Sequence, residues 1–82
     1  MTTRADDAEI LTVIARTLDT APERLEPELR FEADLGLDSL AAVRVVMAVE
    51  DVIGRRFDDE EAAAVTSVGE LLALVRRRRG GP

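Results

Sequence analysis

Side chains able to do chemistry are scarce in this chain, and one serine stands apart. Among its 82 residues there is no Cys, His, Lys, Tyr or Trp. Ser39 lies in Asp34-Leu35-Gly36-Leu37-Asp38-Ser39-Leu40, where a glycine lets the chain turn just before a long apolar helix. A serine nucleophile needs a base within reach. Asp38 is adjacent, yet a lone carboxylate is a poor base for a hydroxyl, and no imidazole exists to complete a triad. Acid–base work near neutral pH wants His, or a Lys or carboxylate of shifted pKa. Here 17 acidic residues in so short a chain read as solvation. Leu35-Gly36-Leu37 lacks the glycine spacing and Lys of a phosphate loop, and Asp34 with Asp38 lacks the D-x-D-x-D-G pattern of a calcium loop. Without Cys or His the usual zinc and iron ligands are missing. No catalytic residue and no metal site is expected, so the chain is not expected to be an enzyme. What remains is Ser39 as an attachment point. A helix N-terminus carries partial positive charge and free N–H groups, which suit an anion such as a phosphodiester. From these residues alone, Asp38 or Ser39 serving simply as the helix cap stays open.

The elements that must position Ser39 read as helical throughout. From Asp6 to Leu18, Ile10, Val13, Ile14 and Leu18 fall on one face with Leu11 beside them, and Asp6 with Glu9 is spaced as a cap and first-turn carboxylate. Residues 19 to 37 have no sustained period. Thr20-Ala21-Pro22-Glu23 reads as a short helical piece, and Leu25, Leu29, Phe31, Leu35 and Leu37 are the expected pins of a long crossing loop. A second helix runs from about Ser39 to Ile53 and stops at Gly54. It is apolar nearly all round, and Leu40, Arg44, Met47 and Asp51 share one stripe. Two large apolar side chains on a charged stripe mark either a docking surface or the edge of a small core. Phe57 anchors the next connection, Asp58-Asp59 caps a short helix from Glu60 to Val65, and Ser67-Val68-Gly69-Glu70 fits a capping box opening the last helix. The expected fold is all-α: a small bundle of three main helices, a short third helix and a long first loop.

All 17 acidic residues precede Arg76 but only seven of the 11 arginines do, so residues 1–75 carry a balance of −10. Such a body repels nucleic acid and membrane phosphates and is steered toward basic protein surfaces. The run Arg76 to Arg79 reads as a solvated helix C-terminus, where cations oppose the helix dipole. With no leader-like start and no apolar run of about 18 residues, a cytoplasmic monomer is expected, with no nucleic-acid or membrane partner.

Phe31-Glu32-Ala33-Asp34-Leu35-Gly36-Leu37-Asp38-Ser39-Leu40 resembles the phosphopantetheine attachment motif of acyl carrier proteins. Val46-Met47-Ala48-Val49-Glu50-Asp51 looks like that family's second helix, Asp59-Glu60-Glu61-Ala62 like its short third, and Thr66-Ser67-Val68-Gly69-Glu70-Leu71 like the start of its fourth. The resemblance implies a carrier domain over residues 6–76, with a flexible N-terminus at 1–5 and a flexible Arg/Gly tail at 77–82. It implies that a phosphopantetheinyl transferase moves 4'-phosphopantetheine from coenzyme A onto Ser39, and that the arm's thiol holds cargo as a thioester. By position, Asp38 and Leu40 would contact the transferase and partners. Leu37, Val43, Arg44, Met47, Glu50, Asp51, Glu60 and Glu61 would form the docking side. Val46, Val49, Phe57, Ala62, Val65 and Leu71 would line the space that shelters cargo in some members. The implied partners are ketosynthase, acyltransferase, adenylating or tailoring enzymes of one pathway. The absence of Cys fits, because no protein thiol competes with the arm.

The chain departs from the fatty-acid carriers it resembles at Ala41 and Arg44, where those are usually acidic, and at Asp58, where proline is common. These departures point to polyketide-type or other specialised biosynthesis. The Arg-only, Ala- and Val-rich usage is that of a high-GC bacterium. A stand-alone peptidyl or aminoacyl carrier, a fatty-acid carrier, and a helical interaction module without cofactor are the other readings.

Overall fold

The computed structural model describes residues 7–80. They form α1 (Asp7–Leu18), α2 (Ser39–Ile53), α3 (Asp59–Ala64) and α4 (Val68–Gly80), with a 3-10 turn at Pro22–Arg24 in the long first loop. This is the expected all-α bundle. Residues 1–5, read as a flexible N-terminus, and Asp6, read as a cap, lie outside the described residues. α4 runs to Gly80, and along it Arg76 and Arg78 both find acidic partners, Asp7 and Glu61.

α1 buries Ile10, Ile14 and Ala15 chiefly against α2. Its end turns through Asp19 at φ 59°, a left-handed conformation that Asp tolerates better than most residues. From α2 come Val45 and Val49, and from α4 Val68, Leu71, Leu74 and Val75, all essentially without solvent contact. Each such side chain contributes roughly 1.5–3 kcal/mol of burial, which in a chain without cysteines to form disulfides is the main source of stability. α2 ends where Gly54 adopts φ 71° and donates its N–H to the Glu50 carbonyl, a left-handed cap.

The long loop is pinned as the apolar pattern implied. Leu25 and Phe31 are buried in the core, and Leu29, Leu35 and Leu37 are half-buried against it. A second set of pins is made of backbone. Phe31 N–H donates to the Thr66 carbonyl at 2.9 Å, Val68 N–H to Leu29 at 3.0 Å, and Gly69 N–H to Pro27 at 2.8 Å. The first N–H groups of a helix have no partner within it. The loop supplies carbonyls to two of those of α4, and in return is held at a fixed distance from its start.

α4's cap follows the predicted S-x-x-E pattern with a slip. Ser67 Oγ accepts the Glu70 N–H at 3.2 Å, as a capping box requires. The Glu70 carboxylate, however, accepts from the backbone N–H and hydroxyl of Thr66, one residue earlier. These bonds, the backbone one foremost, hold the Glu70 carboxyl below its ordinary pKa.

Candidate functional site

Between Phe31 and Ser39 the chain makes a compact coil. Asp34 Oδ2 accepts the Arg30 N–H at 2.8 Å, Leu37 N–H donates back to the Phe31 carbonyl at 2.9 Å, and Gly36 supplies the required positive φ of 69°. A side chain at Gly36 would meet nothing within 4 Å, so only its backbone angle calls for glycine. The coil delivers Asp38 in extended conformation (φ −86°, ψ 178°), and its Oδ1 accepts the Ala41 N–H at 2.8 Å. Asp38 is therefore the N-cap of α2, a role worth about 1 kcal/mol. Ser39 is the first helical residue. It is exposed, and among the described residues its hydroxyl makes no hydrogen bond. The choice left open by the sequence falls to Asp38, which leaves Ser39 free for chemistry supplied from outside.

A cleft of about 680 Å³ opens beside Ser39, between α2, α3 and the coil. Its lining is mostly apolar: Phe31, Leu37, Ala42, Val43, Val46, Met47, Phe57, Ala62, Ala63 and Val65. Glu32, Asp38, Glu50 and Asp59 with Arg56 and Thr66 supply its polar surface. Of the expected cargo-lining residues, Val46, Phe57, Ala62 and Val65 are there. Val49 and Leu71 are not: both are 0% exposed, closed into the central core with no surface to offer a cleft. Phe31 lines the cleft although the apolar pattern marked it only as a loop pin; its place in the quoted motif was the available signal. Arg56, read as part of a connection, had none.

The residues expected on a docking side divide in two. Leu40, Val43 and Met47 are 63%, 50% and 56% exposed, with Arg44 among them, also exposed and making no ion pair among the described residues. Asp51 and Glu60 are exposed as well. So the Leu40/Met47 stripe is a free surface and not the edge of the core. Glu50 and Glu61 are engaged elsewhere. Glu50 Oε2 accepts the Phe57 N–H at 2.8 Å, closing the turn between α2 and α3. Glu61 accepts the Asp58 N–H at 3.1 Å and pairs with Arg78, and these partners, Arg78 first, hold its carboxyl below the ordinary range. The Asp58–Glu61 contact has the spacing of a capping box, whereas Phe57 lies across a turn from Glu50 and Arg78 on another helix from Glu61, which spacing does not reveal.

Among the described residues no group of carboxylates is arranged to hold a metal ion, and no helix is long and apolar enough to cross a membrane. The residues around Ser39 do fit a covalently attached anionic arm: an unengaged hydroxyl, a helix N-terminus beneath it, and a cleft beside it.

Residues 8–75 match the family described as "Phosphopantetheine attachment site". The chain is 40% identical over 67 residues to acyl carrier protein 3 of Ralstonia nicotianae, covering 82% of this chain and 77% of the relative. It is 34% identical over 71 residues to the acyl carrier protein of Wolinella succinogenes, covering 87% of this chain and 93% of the relative.

Proposed function

The chain belongs to the acyl carrier protein family, and from that premise we propose that Ser39 is its attachment residue and the face of α2 its docking surface. As a family member it is a carrier of covalently attached 4'-phosphopantetheine, on which phosphopantetheinyl transferase and pathway enzymes act, and not itself an enzyme. When attached, the arm supplies a flexible terminal thiol that holds an acyl-type intermediate as a thioester. This chain's own residues do the rest. Asp38 caps α2 so that the Ser39 hydroxyl is presented unengaged. Leu40, Val43 and Met47 offer apolar contact to a partner, and the acidic body steers encounter. Docking of this kind must release quickly, and a few exposed side chains with charge steering suit it better than a large apolar interface.

The observation that carries the assignment is the division of labour at the helix start: Asp38 takes the cap and Ser39, beside the cleft, has nothing else to do. The test is an intact-mass spectrum after incubation with coenzyme A and a broad-specificity phosphopantetheinyl transferase. Wild type should gain one phosphopantetheine and a folded Ser39→Ala variant none. A gain on the variant, or none on folded wild type, would remove Ser39 from the role.

We further assign the chain to a specialised pathway with its own partner enzymes, in place of fatty-acid synthesis. Support comes from Arg44, a cation at the centre of the exposed α2 face with no ion pair among the described residues, which asks for an acidic group on the partner. A condensing enzyme of fatty-acid synthesis with a basic docking patch should then use Arg44→Glu at least as well as wild type. A tenfold loss with that variant would count against the assignment.

A further inference from the structure

The cleft beside Ser39 has one wall less firmly built than the rest. α3 is six residues long and fully buries none of its side chains. Its sequence Asp59-Glu60-Glu61-Ala62-Ala63-Ala64 offers only alanine methyl groups as apolar surface, with Ala62 half-buried against the core. At its C-terminal end the chain is held by the Phe31–Thr66 backbone bond, and at its N-terminal end by Glu50 on the Phe57 N–H. A third hold comes from another helix. Arg78, on the fourth turn of α4, reaches the start of α3, pairs with Glu61 and stands 3.6 Å from Asp58. The Arg78 side chain is only 31% exposed and its Nε is withdrawn from solvent altogether, so this pair is less screened than one standing free on a surface. The same Glu61 carboxylate that fastens α3 to α4 also accepts the N–H of the α3 cap residue, Asp58. Where apolar contact is so small, an ion pair is a large share of what holds the helix.

We propose that Arg78 is a positioning residue: its pairing with Glu61 and Asp58 latches α3 to α4 and so sets the outer wall of the cleft. Release of the latch lets α3 swing outward, and a chain carried on Ser39 enters or leaves the cleft by that movement. Only this last consequence rests on Ser39 being the attachment site; the latch is a property of the fold.

The test uses the whole apo protein with Arg78→Gln, Glu61→Gln and the double variant, read by amide hydrogen exchange. The amide introduced by Glu61→Gln keeps an oxygen for the Asp58 N–H, so the cap of α3 survives. Each single variant should speed exchange over α3 by about two- to fivefold, the range expected for breaking one solvent-accessible ion pair. The double variant should add nothing, and buried amides of α1 and α2 should be unaffected. Arg78→Lys should recover part of the protection, because one nitrogen of Arg78 faces both Glu61 and Asp58 and a lysine keeps that charge on a shorter side chain. Unchanged exchange over α3, or an equal rise in every helix, would overturn the latch. The gating consequence is read on protein carrying an octanoyl thioester: hydroxylamine should cleave it faster in Arg78→Gln than in wild type, and equal rates would overturn the gate. If Ser39 accepts no arm, the attachment reading fails by mass while exchange on the apo protein still decides the latch.

Discussion

Replacing Glu50 by alanine should destabilise the protein by about 1–2 kcal/mol, and the reasoning is local. Glu50 Oε2 accepts the backbone N–H of Phe57 at 2.8 Å across the Gly54 turn, and Phe57 is only 7% exposed. A hydrogen bond to a charged acceptor is worth about 1.5–3 kcal/mol, and a buried N–H left unsatisfied costs about 1–3. The site is part-buried, so water recovers some of this. Alanine also regains a few tenths of a kcal/mol in helix propensity. Glu50→Gln keeps an oxygen at the same reach and should cost less than about 1 kcal/mol. Against a total stability of roughly 4–12 kcal/mol for a domain of this size, urea unfolding followed by circular dichroism separates the three. The midpoints should fall in the order wild type, Gln, Ala, with the slope unchanged. Phosphopantetheine transfer to Ser39 should track this order weakly, because the turn and not the charge is what matters. Equal midpoints for Ala and wild type would refute the reasoning. So would unchanged midpoints with transfer lost alike in both variants, which would return Glu50 to the docking face.

A β-carbon at Gly69 would lie 2.9 Å from the Pro27 carbonyl oxygen, the same oxygen that accepts the Gly69 N–H. That oxygen is backbone and cannot retreat without loosening the loop, so Gly69→Ala should lose about 1–3 kcal/mol from overpacking. The usual gain of about 1 kcal/mol from Gly to Ala in a helix offsets part of it, and a melting temperature lower by several degrees is expected; a rise would show the contact to be compliant. Glu70 has its carboxyl held low in the folded state by Thr66, so the unfolded chain binds the proton more tightly. The stability this brings is complete above the ordinary glutamate value of about 4.3 and is lost as pH falls through and below it. Glu70→Gln should flatten that acid limb of the stability profile, and an unaltered limb would show that Glu70 does not contribute to it.

Much of the fold was legible because its boundaries are chemical. Gly54 and Asp38 delimit α2, the Ser67–Glu70 spacing opens α4, and the period from Ile10 to Leu18 orients α1. Orientation within α2 was legible only in part: Arg44 and Asp51 marked one solvent stripe, but a helix apolar nearly all round gives no period to sort its other positions. Hence Val46 and Val49 looked alike, although one lines the cleft and the other is sealed in the core. Two engagements were hidden for a physical reason: Glu50 accepts from Phe57 across a turn and Glu61 pairs with Arg78 on another helix, so neither partner shows in helical spacing. Ser39 stood out through its motif, and the structure gives the cap of α2 to Asp38, a choice the sequence left open between the two.

Translation adds a constraint that the finished molecule conceals. α2 and its serine are synthesised before the residues that fasten the approach coil, since Phe31 waits for Thr66 and Leu29 for Val68. At about 5–20 residues per second, the lag is a few seconds. During it the coil lacks its anchors and Ser39 is not held in its final setting. A chain cut before Thr66 would lack these anchors, and any enzyme that reads the folded coil would pass it over.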